Sequence, residues 1–106
     1  MSDDFVRVAE AGAVPVGKGR IYQVGRRSIA VFNVEGELHA IDNICPHVGG
    51  PLGEGQLEGT TIYCPWHQWP FDVTTGCLER PPDMKVARFG VKVEGGDLLL
   101  SPTPQE

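Results

Sequence analysis

The sequence lacks the features that mark membrane proteins and nucleic-acid-binding proteins. No apolar run approaches the ~20 residues that a membrane-spanning helix needs. Basic residues are few: 9 Lys and Arg stand against 14 Asp and Glu, which gives a formal net charge of -5. Nucleic acids and anionic membranes both require a basic face on their partner. The composition therefore predicts no nucleic-acid or membrane partner, and it is compatible with a partner protein that carries a basic docking patch.

Cysteine is also scarce, with three residues in a chain of 106. Three are too few for a disulfide framework. The first ten residues, MSDDFVRVAE, contain neither the basic stretch nor the apolar stretch of a secretory signal. We therefore expect a cytoplasmic protein, because thiolates in that reducing compartment remain able to hold a metal ion or cluster.

A helical stripe of apolar residues is missing as well. Instead, 14 glycines and 9 prolines separate short apolar runs, most of which alternate with period two. Many short strands with frequent turns predict an all-β fold, an antiparallel sandwich or small barrel. The length predicts one domain, residues 1–106, with its core at about 5–101 and a frayed tail at 102–106. The predicted strands are 5–8, 20–24, 29–31, 38–41, 60–64, 85–93 and 98–100, with turns at 34–37 and 94–97.

Two loops in this β pattern contain residue types that bind metals. The first reads CPH from Cys45 to His47, and the second reads CPWH from Cys64 to His67. Written as spacing, the pattern is C-x-H-x16-C-x2-H, so each loop offers one thiolate and one imidazole. Each loop follows a predicted strand and is rich in Pro or Gly. Two such loops facing each other could clamp one metal centre from both sides.

Ligand chemistry leaves two kinds of centre open. Two thiolates and two imidazoles suit tetrahedral Zn²⁺, and they also suit a [2Fe–2S] cluster in which two His replace two Cys on one iron. Zinc sites usually show their ligands in same-type pairs, whereas each loop here is mixed. A mixed loop places its Cys on one iron and its His on the other, which favours the cluster. Gly49 and Gly50 would let backbone N–H groups approach the cluster sulfurs.

The segment that begins at Cys45, CPHVGGPLGEGQLEGTTIYCPWHQWPFDVTTG, resembles the two-loop motif of Rieske proteins. The resemblance extends over about 5–101 and is close to the stand-alone Rieske ferredoxins of non-heme oxygenase systems. It implies a Rieske-like antiparallel β fold and one [2Fe–2S] cluster per chain, with Cys45 and Cys64 on one iron and His47 and His67 on the other. It also implies an electron-transfer protein rather than an enzyme. Such a protein carries single electrons from a flavin-dependent ferredoxin reductase to a terminal oxygenase.

The chain departs from the high-potential Rieske proteins of respiration at matching positions. Gly50 and Trp66 stand where those proteins have a disulfide between the loops, so that bridge cannot form here. Trp69 and Phe71 stand where they have Ser and Tyr hydroxyls near the cluster. Fewer hydrogen bonds stabilise the extra electron less, so we predict a potential near the low end of the Rieske range, on the order of -150 mV. Gln68 is a further departure, because the ferredoxins commonly have Gly there.

The remaining candidate residues have simpler interpretations. His39 lies in a strand pattern away from both loops and is predicted to be a satisfied, half-exposed strand residue. Cys77 is predicted to be a small, partly buried apolar residue. Asp72 is predicted to form a turn through its side chain. Trp66 and Trp69 are predicted to pack beside the loops and keep water out.

Two other functions are compatible with these residues. One is a small Rieske-type subunit of a larger oxidoreductase such as nitrite reductase, although related subunits often lack the ligands that this chain keeps. The other is a zinc-stabilised interaction module with no redox role. A terminal oxygenase is not predicted, because it needs a second iron on two His and a carboxylate, and this chain has three His in all.

Overall fold

The computed structural model describes residues 5–45, 50–66, 68–79 and 84–105. Nine β-strands and one short 3₁₀ helix lie within these residues, which include no helix long and apolar enough to cross a membrane. In chain order the strands are β1 Val6–Glu10, β2 Gly19–Val24, β3 Arg27–Val34, β4 Glu37–Asp42, β5 Gln56–Glu58, β6 Thr61–Tyr63, β7 Pro70–Asp72, β8 Arg88–Glu94 and β9 Asp97–Gln105; the 3₁₀ helix is Leu52–Glu54.

Six antiparallel strands form the main sheet, in the order β1-β9-β8-β4-β3-β2. Three of its connections are two-residue hairpin loops whose first residue, Gly25, Glu35 or Gly95, has a positive φ. This backbone conformation suits tight hairpins because it matches the right-handed twist of the flanking strands. The edge strands β1 and β2 contact each other, so the sheet curves towards a barrel.

The short strands β5, β6 and β7 form a second antiparallel sheet. This small sheet belongs to residues 43–87, which we call the insertion, because they leave the main sheet after β4 and return to it at β8. The main sheet closes at the base of the insertion, where Ile41 pairs with Arg88. Next to this pair the Asp42 N–H donates to the Ala87 carbonyl, with 2.9 Å between nitrogen and oxygen. Both ends of the insertion are therefore anchored at neighbouring points.

Buried side chains form two groups on opposite faces of the main sheet. Successive residues of a strand point to opposite faces, and β3 shows this clearly, with Ile29 and Val31 in one group and Phe32 in the other. The first group lies within the curved main sheet. The second group lies between the main sheet and the insertion, and its members include Ala30, Phe32, Ile41, Cys45, Leu52, Ile62, Cys64, Phe71 and Val73. Both candidate thiols therefore belong to the core that joins the two regions.

The structure confirms the all-β prediction and corrects one part of it. The tail predicted at 102–106 is strand through Gln105, because β9 continues along β8 with Phe89 opposite Pro104; Glu106 lies outside the described residues. Pro104 is tolerated because β1 pairs with β9 only as far as Leu100. Beyond that point β9 is an edge strand, where a missing N–H costs no ladder hydrogen bond.

Candidate metal centre

Cys45 follows β4 at the start of the first loop. Its N–H donates to the carbonyl of Gly50, with 2.9 Å between nitrogen and oxygen, so the chain that leaves at Cys45 returns beside it. A β-bridge between Ile44 and Pro51 extends the same closure by one residue on each side. The other candidate ligand of this loop, His47, lies outside the described residues.

Asn43 fixes the base of the first loop, a role that its sequence pattern did not indicate. Its side chain is buried, its Oδ1 accepts from the Gly53 N–H at 2.8 Å, and its Nδ2 donates to Ser28 Oγ at 3.1 Å. Its carbonyl accepts from the Leu52 N–H at 2.7 Å. Asn43 therefore ties the end of the loop to β3. The alternation along the chain could have revealed its inward orientation, because Asn43 lies between Ile41 and Cys45, which are also buried.

Cys64 directly follows β6 and begins the second loop. Its N–H donates to the Trp69 carbonyl at 3.0 Å, and its carbonyl accepts from the Gln68 N–H at 2.8 Å, so this loop is also closed at its base. Gln68 has a φ of 59°, in the left-handed region that glycine enters without strain. The loop therefore keeps the backbone that a glycine would give it, although Gln68 occupies the position. His67 lies outside the described residues.

The two thiols are buried together in the core between the main sheet and the insertion. Cys45 is 1% exposed and Cys64 is 0% exposed. They share one group of contacting side chains with Leu52, Ile62 and Phe71, which come from the 3₁₀ helix, β6 and β7. Two loops from different parts of the insertion thus deliver one sulfur each to a single apolar environment.

The first loop packs against the second at Gly50. A Cβ atom built on Gly50 would lie 3.0 Å from Cys64 Sγ and 3.1 Å from Trp66 Cδ2. Real Cβ contacts are rarely this short, so even an alanine here would push one of these groups aside. Gly50 thus lets the backbone of one loop approach the thiol of the other.

These residues fit the sulfur-bearing half of a [2Fe–2S] centre. Two buried soft donors meet from separate loops, and the glycine beside Cys64 leaves room that a side chain would fill. The sequence motif assigns the imidazole-bearing half to His47 and His67, which lie outside the described residues. In the part of the chain that the structure describes, no group of three or more His, Cys, Asp or Glu side chains is arranged to hold a metal ion.

The surroundings of the thiols match the departures seen in the sequence. Phe71 is fully buried beside them and has no hydroxyl to donate. Trp69 is half-buried and packs against the same core, as expected for a residue that excludes water. Trp66 also packs beside the loops, on Gly50, although 58% of its surface is exposed. Its indole covers Gly50 on one side and faces solvent on the other.

Three other sequence candidates are placed as follows. Asp72 forms a turn as predicted, since its Oδ1 accepts from the Thr74 N–H at 2.8 Å and from the Thr74 hydroxyl at 2.6 Å. His39 lies in β4 with Nε2 3.3 Å from Glu37 Oε1, but Nε2 has no aligned hydrogen bond, so the prediction that it is satisfied is wrong. Cys77, predicted to be partly buried, is exposed, because the next residue, Leu78, takes the inward position.

Comparison with known proteins gives a consistent set of similarities. The family model of the Rieske [2Fe-2S] domain matches residues 4–93. The chain is 36% identical over 101 residues to the ferredoxin component of the 2,4-dinitrotoluene dioxygenase system of Burkholderia sp. (strain RASC), which covers 94% of this chain and 97% of the relative.

Two solved structures resemble the whole fold. The Sphingomonas yanoikuyae B1 ferredoxin superposes with a TM-score of 0.84 at 30% identity, over 94% of this chain and 100% of that chain. A chain from the complex of reduced oxygenase and oxidized ferredoxin in carbazole 1,9a-dioxygenase superposes with a TM-score of 0.89 at 28% identity, over 99% of both chains.

Proposed function

Because the chain belongs to the Rieske [2Fe–2S] domain family, we propose that it carries single electrons to a terminal oxygenase. Its cofactor is a Rieske-type [2Fe–2S] cluster, and it is an electron-transfer protein rather than an enzyme. This membership excludes the zinc module as the explanation of the two loops. The cluster supplies one-electron redox chemistry when it is bound.

The proposed ligands are Cys45 and Cys64 on one iron, and His47 and His67 on the other. The observation that supports this proposal most directly is the burial of both thiols in one core, at the point where Gly50 brings the two loops together. These four residues, together with the cluster's own sulfides, would occupy every coordination position of the two irons, so none would remain for a substrate. The chain's own residues then hold the centre in place and exclude water from its sulfur-bearing side.

The relatives support one of the two proposed partners, the terminal oxygenase. The Burkholderia relative is the ferredoxin component of a dioxygenase system, and the carbazole structure pairs a ferredoxin with an oxygenase. For this chain we propose a terminal oxygenase as electron acceptor and a flavin-dependent reductase as donor, both acting in the cytoplasm. Two large apolar side chains, Ile44 at 47% exposure and Trp66 at 58%, border the two thiol-bearing loops. Exposed apolar groups beside the redox centre are suited to brief contact with such partners.

Electron paramagnetic resonance of the dithionite-reduced protein tests the centre and its ligands. The wild type should give the signal of a His-ligated two-iron centre, and Cys64→Ala should abolish it. The matched control is Cys77→Ala, because Cys77 is the third cysteine and is exposed outside the core. A Cys64→Ala variant that still assembles the same centre would contradict the ligand assignment.

Electron delivery is tested separately by mixing the reduced protein with an oxidised terminal oxygenase from the same source in a stopped-flow instrument. We expect oxidation of this chain's centre, seen as recovery of its visible absorbance, to be matched by reduction of the oxygenase centre, one electron per chain. Size-exclusion chromatography of the native protein then addresses the nitrite reductase alternative. Elution as a free small protein agrees with the proposed electron carrier, whereas elution only as part of a larger enzyme contradicts that proposal.

A further inference from the structure

Trp66 makes a contact that runs from one loop to the other. A Cβ built on Gly50 would lie 3.1 Å from Cδ2 and 3.2 Å from Cγ of Trp66, and 3.0 Å from Cys64 Sγ. Indole, glycine and sulfur therefore meet in a space too small for an added methyl group. Gly50 itself is buried, whereas more than half of Trp66 is open to solvent, so the indole forms an outer cover over this point.

Among the described residues of the two loops, no backbone hydrogen bond joins one loop to the other. The bond from Cys45 to Gly50 closes the first loop on itself, and the bond from Cys64 to Trp69 closes the second loop on itself. The Trp66 indole joins the two, because it stands in the second loop and is seated on Gly50 of the first. Removing it should leave each loop closed at its base and should loosen the contact between the two loops.

We propose that Trp66 is a latch that holds the two loops together and shields Cys64 Sγ from water. This inference rests on the proposed ligation of the cluster by Cys64. One-electron reduction adds one negative charge, and water stabilises an added charge better than an indole does. The latch therefore lowers the reduction potential. It also limits the access of water and chelators to the iron–thiolate bonds, so it slows the loss of iron.

The latch is tested on the cluster-loaded protein without any partner. In Trp66→Ala we expect a midpoint potential above that of the wild type, and we expect loss of visible absorbance in the presence of a chelator to be about tenfold faster. Trp66→Phe keeps an aromatic ring over Gly50 and should recover most of both properties. Val93→Ala is the matched control, because Val93 is similarly exposed but lies in β8, outside the insertion.

A double-mutant cycle with Gly50 isolates the contact. Gly50→Ala should shift the indole outwards by a few tenths of an ångström, since the Cys64 thiol is enclosed by the core and Trp66 is largely exposed. It should therefore change both properties in the same direction as Trp66→Ala but by less, and it should add little once the indole is gone. The latch would be overturned if the wild type and Trp66→Ala had equal potentials and lost iron at equal rates. It would also be overturned if the effect of Gly50→Ala were just as large in the absence of the indole. If the wild type itself bound no iron, that result would instead overturn the proposed function on which this inference rests.

Discussion

The main sheet and the insertion share one core but are stabilised in different ways. Strands of the main sheet run for five to nine residues, and β3 alone has six paired positions on each side. The insertion has strands of three residues, held by a few backbone bonds and by side chains that surround the two thiols. We therefore expect the main sheet to keep its fold without a cofactor, and we expect the order of the insertion to depend on the metal centre that its loops hold.

The largest expected effects come from one matched pair of core truncations. Ile29 in β3 and Ile62 in β6 are both 0% exposed, but they belong to the two different core groups. Each change to Ala should lower the free energy of unfolding by about 3–4 kcal/mol, as measured by denaturant titration. Only Ile62→Ala should also accelerate iron loss, because Ile62 packs in the group that contains the thiols. Equal rates of iron loss in the two variants would remove the distinction between the regions.

Removal of the metal should affect the insertion more than the main sheet. Anaerobic chelation followed by hydrogen exchange should reduce protection in β5, β6 and β7 by about a hundredfold, or ~2.7 kcal/mol. Protection in β2, β3 and β4 should change less than about tenfold, since their ladder is continuous without the insertion. A uniform loss across both sheets would show that the chain behaves as one cooperative unit.

Two residues with left-handed backbone allow a smaller, paired comparison. Glu35 lies in the hairpin between β3 and β4 with a φ of 52°, and Gln68 lies in the second loop with a φ of 59°. Glycine relieves the strain at both positions, and its greater freedom in the unfolded chain offsets part of the gain, so each substitution should stabilise by about 0.5–1 kcal/mol. Gln68→Gly should slow iron loss and Glu35→Gly should not. Thermal unfolding with chelator assays measures both.

The smallest effect concerns the pH dependence of the main sheet. Burial raises the pKa of Tyr22 above 10.0, although the nearby Arg20 acts in the opposite direction. The folded protein therefore holds the phenolic proton more tightly than the unfolded chain does. Its contribution to stability is complete below pH 10.0 and declines as the pH rises through the folded-state pKa. Urea midpoints of Tyr22→Phe should fall less steeply in alkali than those of the wild type, while the cluster spectra stay alike.

The main sheet was predictable from the sequence because its signals are local. The dipeptides Glu35-Gly36 and Gly95-Gly96 lie between alternating apolar runs, so they marked two of its hairpins. The proline-containing end of β9 was mispredicted because a strand accepts proline only where no neighbouring strand needs the N–H that proline lacks. That information lies in the sheet order and not in the segment itself.

The insertion was predictable in its chemistry more than in its form. Cys45 and Cys64 were identified by residue type and spacing, and the structure buries both. The strands β5 and β7 were missed, because three residues are too few to show a period, and β7 begins with a proline. Alternation with Ile41 and Cys45 predicts that Asn43 faces inwards, but its hydrogen-bond partners, Ser28 and Gly53, are set by the fold.

The pairing of Ile41 with Arg88 has a consequence for the order of folding. Hairpins between consecutive strands form within about 1–10 μs, whereas β4 and β8 meet only after residues 42–87 have been gathered into a closed loop. The entropy cost of closing this loop should make the pairing of β4 with β8 slower than hairpin formation, because contacts between residues far apart in the sequence slow folding. We therefore expect the nascent chain to form its hairpins first and to bind iron last, after the main sheet has closed.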